Sequence, residues 1–420
     1  MISFWRIFWL ELLSLTRSGT LWMLAAASVI WILAFPYVIR GDGTSSGTRE
    51  LYIHFTLGGV FALLVIALLA SATGTIARER TAKRLQLTMV RPVPYFAIAL
   101  GKIGAHVLVG AVIMALACTM MGLSVDLRRP CNHVLSPILP SPKEEAKIMY
   151  EEYMKDPSTP AEVKRARKSV VMRLLTQRAV DHYQVIPTNS AVSWKFDGIA
   201  ALAGNAAPSV RMRFTNQFDM RQDVIGDFRL GGMSGAVSNI TQAVLEIPLS
   251  GPVTGAQEVA ELMFENKGRA ALMLRPRKDI NVLVPADAFA WNLLRAFLGS
   301  VSVLALVIAV GVFLSAALGR PVAMFVAFVT LIVSEMSPSV IEQYPDALET
   351  DVADRIGLCI TRCAAEVTRP LSSLSPLEAL SRDECVEWGD VARLALADLA
   401  LIPIVLSLLA AFALPRKQDD

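Results

Sequence analysis

Charge is scarce in this sequence: Asp, Glu, Lys and Arg make up 18% of its 420 residues, against about 25% in soluble domains. The net charge of +3 is small, and no basic stripe with interleaved aromatics occurs, so nucleic acid is excluded as a partner. Histidine is rare too. His54, His106, His133 and His182 are scattered without the His-x3-His or Glu-x2-His spacing of a metal site. Isolated serines lack a Gly-x-Ser-x-Gly setting. No Gly-x4-Gly-Lys-Ser/Thr run is present, since Gly101-Lys102 is followed by Ile103. The reading is therefore of a non-enzyme, with no catalytic residue, metal or cofactor of its own. The order of a signal peptide is missing as well: Met1–Gly19 mixes Trp5, Trp9, Arg6, Glu11 and Arg17 with apolar residues.

What is abundant is apolar sequence, 54% by residue with a mean hydropathy of +0.49. It gathers in blocks long enough to cross a bilayer. The fold class expected is a membrane α-helical protein of about six spans, carrying an extracytoplasmic α+β insertion that ends in a β-sandwich-like domain. Residues 1–19 are read as an interfacial amphipathic helix. The first three spans, Thr20–Ile39, Leu51–Ala77 and Ala97–Leu123, occupy residues 20–123, with Arg40 to Glu50 as a tight outer turn and 78–94 as a short surface helix. Two more fall in residues 289–334, Phe289–Leu318 and Pro321–Ser334, and the last is 391–414, before a tail at 415–420. Between them, residues 124–287 form the insertion, helical over 142–183 and β-rich over 193–285. Short alternating runs such as Trp194-Lys-Phe and Val210-Arg-Met-Arg-Phe carry the latter reading. Residues 336–390 are expected as outer helices, one of them from Pro376 to Trp388.

Basic residues in short loops orient the chain. Arg78, Arg80, Lys83, Arg84 and Arg91 follow the second span, Arg320 follows the fourth, and Arg416 and Lys417 follow the last. With an even number of spans these share one side. That side is expected to be the cytoplasm, with both termini in it and the chain in a cell (inner) membrane.

Charges inside the spans are costly, roughly 2.5–3.5 kcal/mol each at mid-bilayer. Arg295 and Asp398, at similar depth, are expected to face protein or water and to be candidates for pairing with each other. Glu335, at the outer end of the fifth span, is ambiguous in the same way. The cysteines Cys131, Cys359, Cys363 and Cys385 fall outside the bilayer, where disulfides are permitted. Pairing of Cys359 or Cys363 with Cys385 is favoured over pairing with each other, and connectivity stays open.

The stretch Arg78-Glu79-Arg80-Thr81 with Lys83, Arg84, Leu85, Leu87, Arg91 and Pro92 has a charged start and an apolar side. With the Arg91-Pro-Val turn and Gly101-Lys102 leading into the third span, it resembles the coupling-helix region of ABC-2 type ABC transporter permeases. The layout of surface helix and spans, and Leu374-Ser-Pro-Leu-Glu before the last span, resemble that family too. Residues 124–287 lie outside the resemblance. It implies a dimeric transmembrane core, built with a second permease copy or a similar chain and driven by a separate cytoplasmic ATPase that holds the ATP and Mg. It also implies an exporter whose outer domain meets substrate or an envelope partner. The alternative weighed against it is a membrane-anchored extracytoplasmic binding or assembly protein without transport.

Overall fold

The computed structural model describes residues 2–38, 45–83, 94–157, 168–180, 182–198, 207–215, 222–241, 243–250, 259–343 and 376–416. Among these, five helices are long and apolar enough to cross a membrane, and a shorter apolar stretch spans Arg320–Val333. The helices are α1 Ile2–Arg17, α2 Gly19–Val38, α3 Ser45–Thr81 and α4 Tyr95–Ser124, then α5 Pro142–Lys155 and α6 Lys168–Val180 in the insertion. After the sheets come α7 Phe289–Ala317, α8 Arg320–Gln343, α9 Pro376–Ser381 and α10 Trp388–Leu394. A π-helical turn, Ala395–Leu401, joins α10 to α11, Ile402–Arg416.

The bundle is organised around α7. Of its apolar length 67% is buried, against 11% for α2, so α7 is the central helix of the bundle and α2 lies at its periphery. Because lipid is as apolar as leucine, packing rather than hydrophobicity holds such helices together. Close packing is visible where α1 crosses the start of α4. A methyl group at Gly101 would lie 3.0 Å from Ile7 Cγ2 and 3.2 Å from the Phe8 nitrogen, so the glycine admits α1. The last span widens before Pro403. Ile402 N–H bonds to Ala397 O, an i→i−5 bond. A proline in a regular α-helix clashes with the carbonyl four residues back, and the π turn gives that carbonyl room.

The insertion is a sandwich of antiparallel strands. One sheet has the order β1-β10-β4-β7: Pro130–Leu135, Ile280–Ala288, Ser209–Arg213 and Val244–Pro248. The other is β3-β8-β5-β6: Ala191–Asp197, Val259–Asn266, Asp223–Leu230 and Met233–Ile240. A small pair, β2 Gln184–Ile186 and β9 Leu272–Leu274, closes one side. Alternation puts Trp194 and Phe196, Val210 and Met212, Phe228 and Leu230 into one shared core. Phe264 sits at its centre, with ring centroids 4.6 Å from Phe228 and 5.0 Å from Phe214. The helices α5 and α6 form a separate small cluster through Ala146, Val171 and Leu175.

Several boundaries differ from the sequence expectations. The β-rich part begins at Pro130 rather than 193, because β1, entering the insertion, pairs with β10, leaving it, from Pro130↔Ala288 to Leu135↔Val282. This pairing closes the insertion at its neck. Helix α3 starts at Ser45, inside the segment read as a turn, and runs unbroken through Thr81. The expected helix from Pro376 to Trp388 stops at Ser381. The backbone after it is taken up by β1: Asn132 N–H donates to Asp383 O at 2.8 Å and Cys385 N–H to Asn132 O at 2.8 Å.

Candidate functional site

At the end of the bundle away from the sheets, α1, α3 and α4 meet at one buried lysine. Lys102 is 2% exposed in α4. Its ammonium lies 2.7 Å from Glu11 Oε2 of α1, 2.7 Å from Glu79 Oε1 of α3 and 3.1 Å from Thr75 Oγ1. Thr75 in turn donates to Glu11 Oε1 at 3.0 Å. All three ammonium donors are thus used, which is what a buried lysine requires. One turn on, His106 Nδ1 is 2.9 Å from Lys102 O. A carbonyl can only accept, so Nδ1 carries the proton, and Nε2 faces Ser71 Oγ at 3.1 Å.

The same stretch of α3 grips the end of α7. Ser315 Oγ accepts from the Ile76 and Ala77 N–H groups at 3.2 and 3.1 Å. Arg80 donates to Ala316 O at 3.3 Å and Leu318 O at 3.1 Å, satisfying carbonyls at a helix C-terminus, where a cation is also favoured by the dipole. Arg78 and Thr81 turn back on α3 itself, to Gly74 O at 3.1 Å and Ala77 O at 2.6 Å. Four of the expected coupling residues are therefore the last turn of a span. The helix ends at exposed Lys83, which takes the left-handed conformation at φ 55° with its N–H on Arg80 O at 3.0 Å. Arg84, Leu85, Leu87, Arg91 and Pro92 lie outside the described residues.

At the sheet end, residues 383–386 are clamped between the sandwich and the spans. Cys385 is bonded to Cys131 of β1, with Cα atoms 5.3 Å apart. This corrects the expected pairing of Cys385 with Cys359 or Cys363, two residues outside the described part. The partner is instead 254 residues away in sequence, brought near because the insertion folds back onto its own neck. Asn292 of α7, fully buried, donates to Glu384 O at 2.7 Å and accepts from Val386 N–H at 2.8 Å. Arg49 of α3 pairs with Asp383. From the sandwich, Arg211 of β4 reaches Glu246 at 2.8 Å and Glu384 at 3.3 Å.

Arg295 and Asp398 do not meet. Arg295 reaches back toward the start of its helix, the direction in which helical side chains tilt, and pairs with Asp287. It also donates to Val386 O at 3.2 Å and lies 5.0 Å from the centre of the Trp388 ring. Asp398, in the π turn, is fully buried, and neither carboxylate oxygen has a hydrogen-bond partner among the described residues. Glu335 lies in α8, and its side chain is outside the described part. The free cysteine among the described residues is Cys118, buried in α4. Among the described residues, no group of acidic, histidine or cysteine side chains could hold a metal ion.

In the sequence Lys102 reads only as part of the Gly101-Lys102 pair leading into the third span. The signal overlooked was its position seven residues inside α4, with His106 four residues later on the same face. Asn292, Arg49, Asp383 and Arg211 carried no periodic signal at all.

Residues 7–127 match the family model described as ABC-2 family transporter protein. No curated protein and no solved structure matches the chain. The matched stretch runs from within α1 to just beyond α4 and stops short of β1, so it contains Glu11, Thr75, Glu79 and Lys102 but not the sandwich. Over that stretch the chain is similar to the ABC-2 family of transporter proteins, and it carries five helices long and apolar enough to cross a membrane among the described residues.

Proposed function

We propose that this chain is the permease, the membrane half of an ATP-driven exporter, energised by a separate ATPase that docks on residues 78–94. ATP and Mg belong to that partner. The observation that carries the reading is the Lys102 junction. The segment proposed to receive the ATPase emerges directly from the turn of α3 whose Glu79 and Arg80 are tied to α1, α4 and α7. A push on 78–94 therefore reaches four helices through charged contacts with little slack. The positive charge around that end favours placing it, and both termini, in the cytoplasm of a cell whose inner membrane holds the chain. The sandwich then lies outside, where substrate or an envelope partner meets it. A second permease copy completes the pathway.

The test is purification of the tagged chain from its native membrane in a mild detergent. An ATPase subunit is expected in stoichiometric amount, with ATP-driven uptake of cargo into inside-out vesicles. Charge reversal at exposed Lys83, together with Arg84 and Arg91, should release the ATPase while the Cys131–Cys385 bond still forms. A chain that retains no ATPase in several detergents is no transporter subunit. Retention after all three reversals would move the docking site elsewhere.

A further inference from the structure

The solvated face of the β1-β10-β4-β7 sheet does not look onto open water. It overhangs residues 382–384 and the first turns of α3, enclosing a cleft of about 510 Å³, within the range of about 300–1,000 Å³ typical of small-ligand sites. The lining is cationic. Arg211 and Arg213 come from β4, Arg275, Arg277 and Lys278 from the turn between β9 and β10, and Arg382 from below. Glu50, Asp279 and Glu384 are the carboxylates that line it.

These charges do not cancel equally. Asp279 is bound to Arg275 at 3.0 Å, Arg277 reaches Glu145 at 2.9 Å, and Arg382 holds Glu378 at 2.6 Å and Glu50 at 3.7 Å. Arg211 has Glu246 directly across the strand pair. Two residues on, Arg213 shares the same face of β4 but sits opposite Val244. Its side chain is exposed and has no ion-pair partner among the described residues. Burial also holds the Glu384 carboxyl above the usual carboxylate range, with Arg211 and Arg382 opposing.

We propose that this cleft binds a phosphate oxyanion, with Arg213 as its principal donor and the Arg275–Lys278 turn closing over it. Five of the six cations are arginines, whose planar fork matches a phosphate in a two-bond geometry that lysine cannot offer. Glu50, near the start of α3, and Arg382 and Glu384 of the 382–384 segment line the cleft on the side of the bundle. The phosphate is supplied either by a lipid headgroup of the adjoining leaflet or by a soluble phosphorylated compound.

The full chain in non-ionic detergent, without nucleotide or any ATPase, is titrated separately with inorganic pyrophosphate, short-chain phosphatidic acid and diacylglycerol. The outcome is therefore independent of whether the chain exports anything. At least one phosphate probe is expected to bind, and diacylglycerol not. Tighter binding of phosphatidic acid assigns the lipid source, and of pyrophosphate the soluble one. Arg213→Glu should weaken binding about tenfold or more, while Arg229→Glu, an equal charge change on the other sheet, should leave it unchanged. Arg213→Gln, an uncharged change at an exposed position, serves if the reversal does not fold. Binding of neither probe, equal loss in the Arg213 and Arg229 variants, or equal binding of diacylglycerol overturns the proposal.

Discussion

The Lys102 ammonium lies 2.7 Å from the Glu79 carboxylate, joining α4 to the last turn of α3, and the same nitrogen holds Glu11 of α1 at an equal distance. Two carboxylates about one cation make a junction that depends on the cation. Replacing Lys102 with Met leaves both acids without their partner, one of them, Glu11, largely buried. Breaking a buried pair costs about 3–5 kcal/mol, and the lower end applies here because Glu79 stays a third exposed to solvent. Unfolding of Lys102→Met in a denaturing-detergent titration should show that loss. Adding Glu11→Gln and Glu79→Gln should recover most of it. If the triple variant is no better than the single one, the junction is not electrostatic.

A second prediction concerns the bond from Cys131 to Cys385, which closes a loop of 254 residues. Chain entropy alone assigns such a loop about 5 kcal/mol, an upper figure for a chain whose spans already restrict its unfolded state. Cys131→Ser and Cys385→Ser should loosen the sandwich from the spans to the same degree, and the double variant should be no worse than either. Limited proteolysis between β1 and α7 reports the loosening. A double variant clearly worse than the singles would mean that the thiols serve separate purposes.

Long apolar helices were legible because length and apolarity are local properties, though five of them, against the six spans expected, are long enough to cross a membrane among the described residues. α2 and α4 begin and end within two residues of the apolar blocks read from sequence. The strands at Trp194, Val210 and Ile280 were legible for the same reason, since alternation is written into consecutive residues. β5 and β6 were not. Gly226 and Gly235 stand at positions where the pattern calls for an inward apolar side chain. At Gly226 a methyl group would come 2.5 Å from the Glu265 carbonyl oxygen, so the strand trades its signal for close pairing. Contacts between distant segments left no trace in either period. The junction of Glu11 with Lys102 and the bond of Cys131 with Cys385 follow from how the neck and the bundle close.

Asn292 yields a third prediction. Its amide is used on both sides, by Glu384 O and Val386 N–H, in a place water does not reach. Asn292→Leu keeps the volume but leaves a buried carbonyl and a buried N–H unpaired, each worth about 1–3 kcal/mol. Amide hydrogen exchange at Val386 should accelerate in the variant, while exchange in the β3-β8-β5-β6 sheet stays as it was. Unchanged protection at Val386 would show that the segment is held by its other contacts alone.

The last prediction is a pH dependence at the same segment. Burial raises the Glu384 carboxyl above its ordinary value of 4.5, with Glu50 and Glu378 acting in the same direction and Arg211 and Arg382 against it. A carboxyl raised in the folded state binds its proton more tightly folded than unfolded. Its contribution to stability is complete below the unfolded value and is lost as pH rises through the folded one. Glu384→Gln mimics the protonated form at every pH. The variant should therefore match the wild type near pH 4 and gain on it as pH rises above 4.5, levelling off once Glu384 is ionised. Thermal unfolding of the two proteins side by side from pH 4 to 7 measures the difference. A variant that instead falls behind as pH rises would show that the 3.3 Å pair with Arg211 outweighs burial, and that the positive field of the cleft is more fully neutralised at neutral pH.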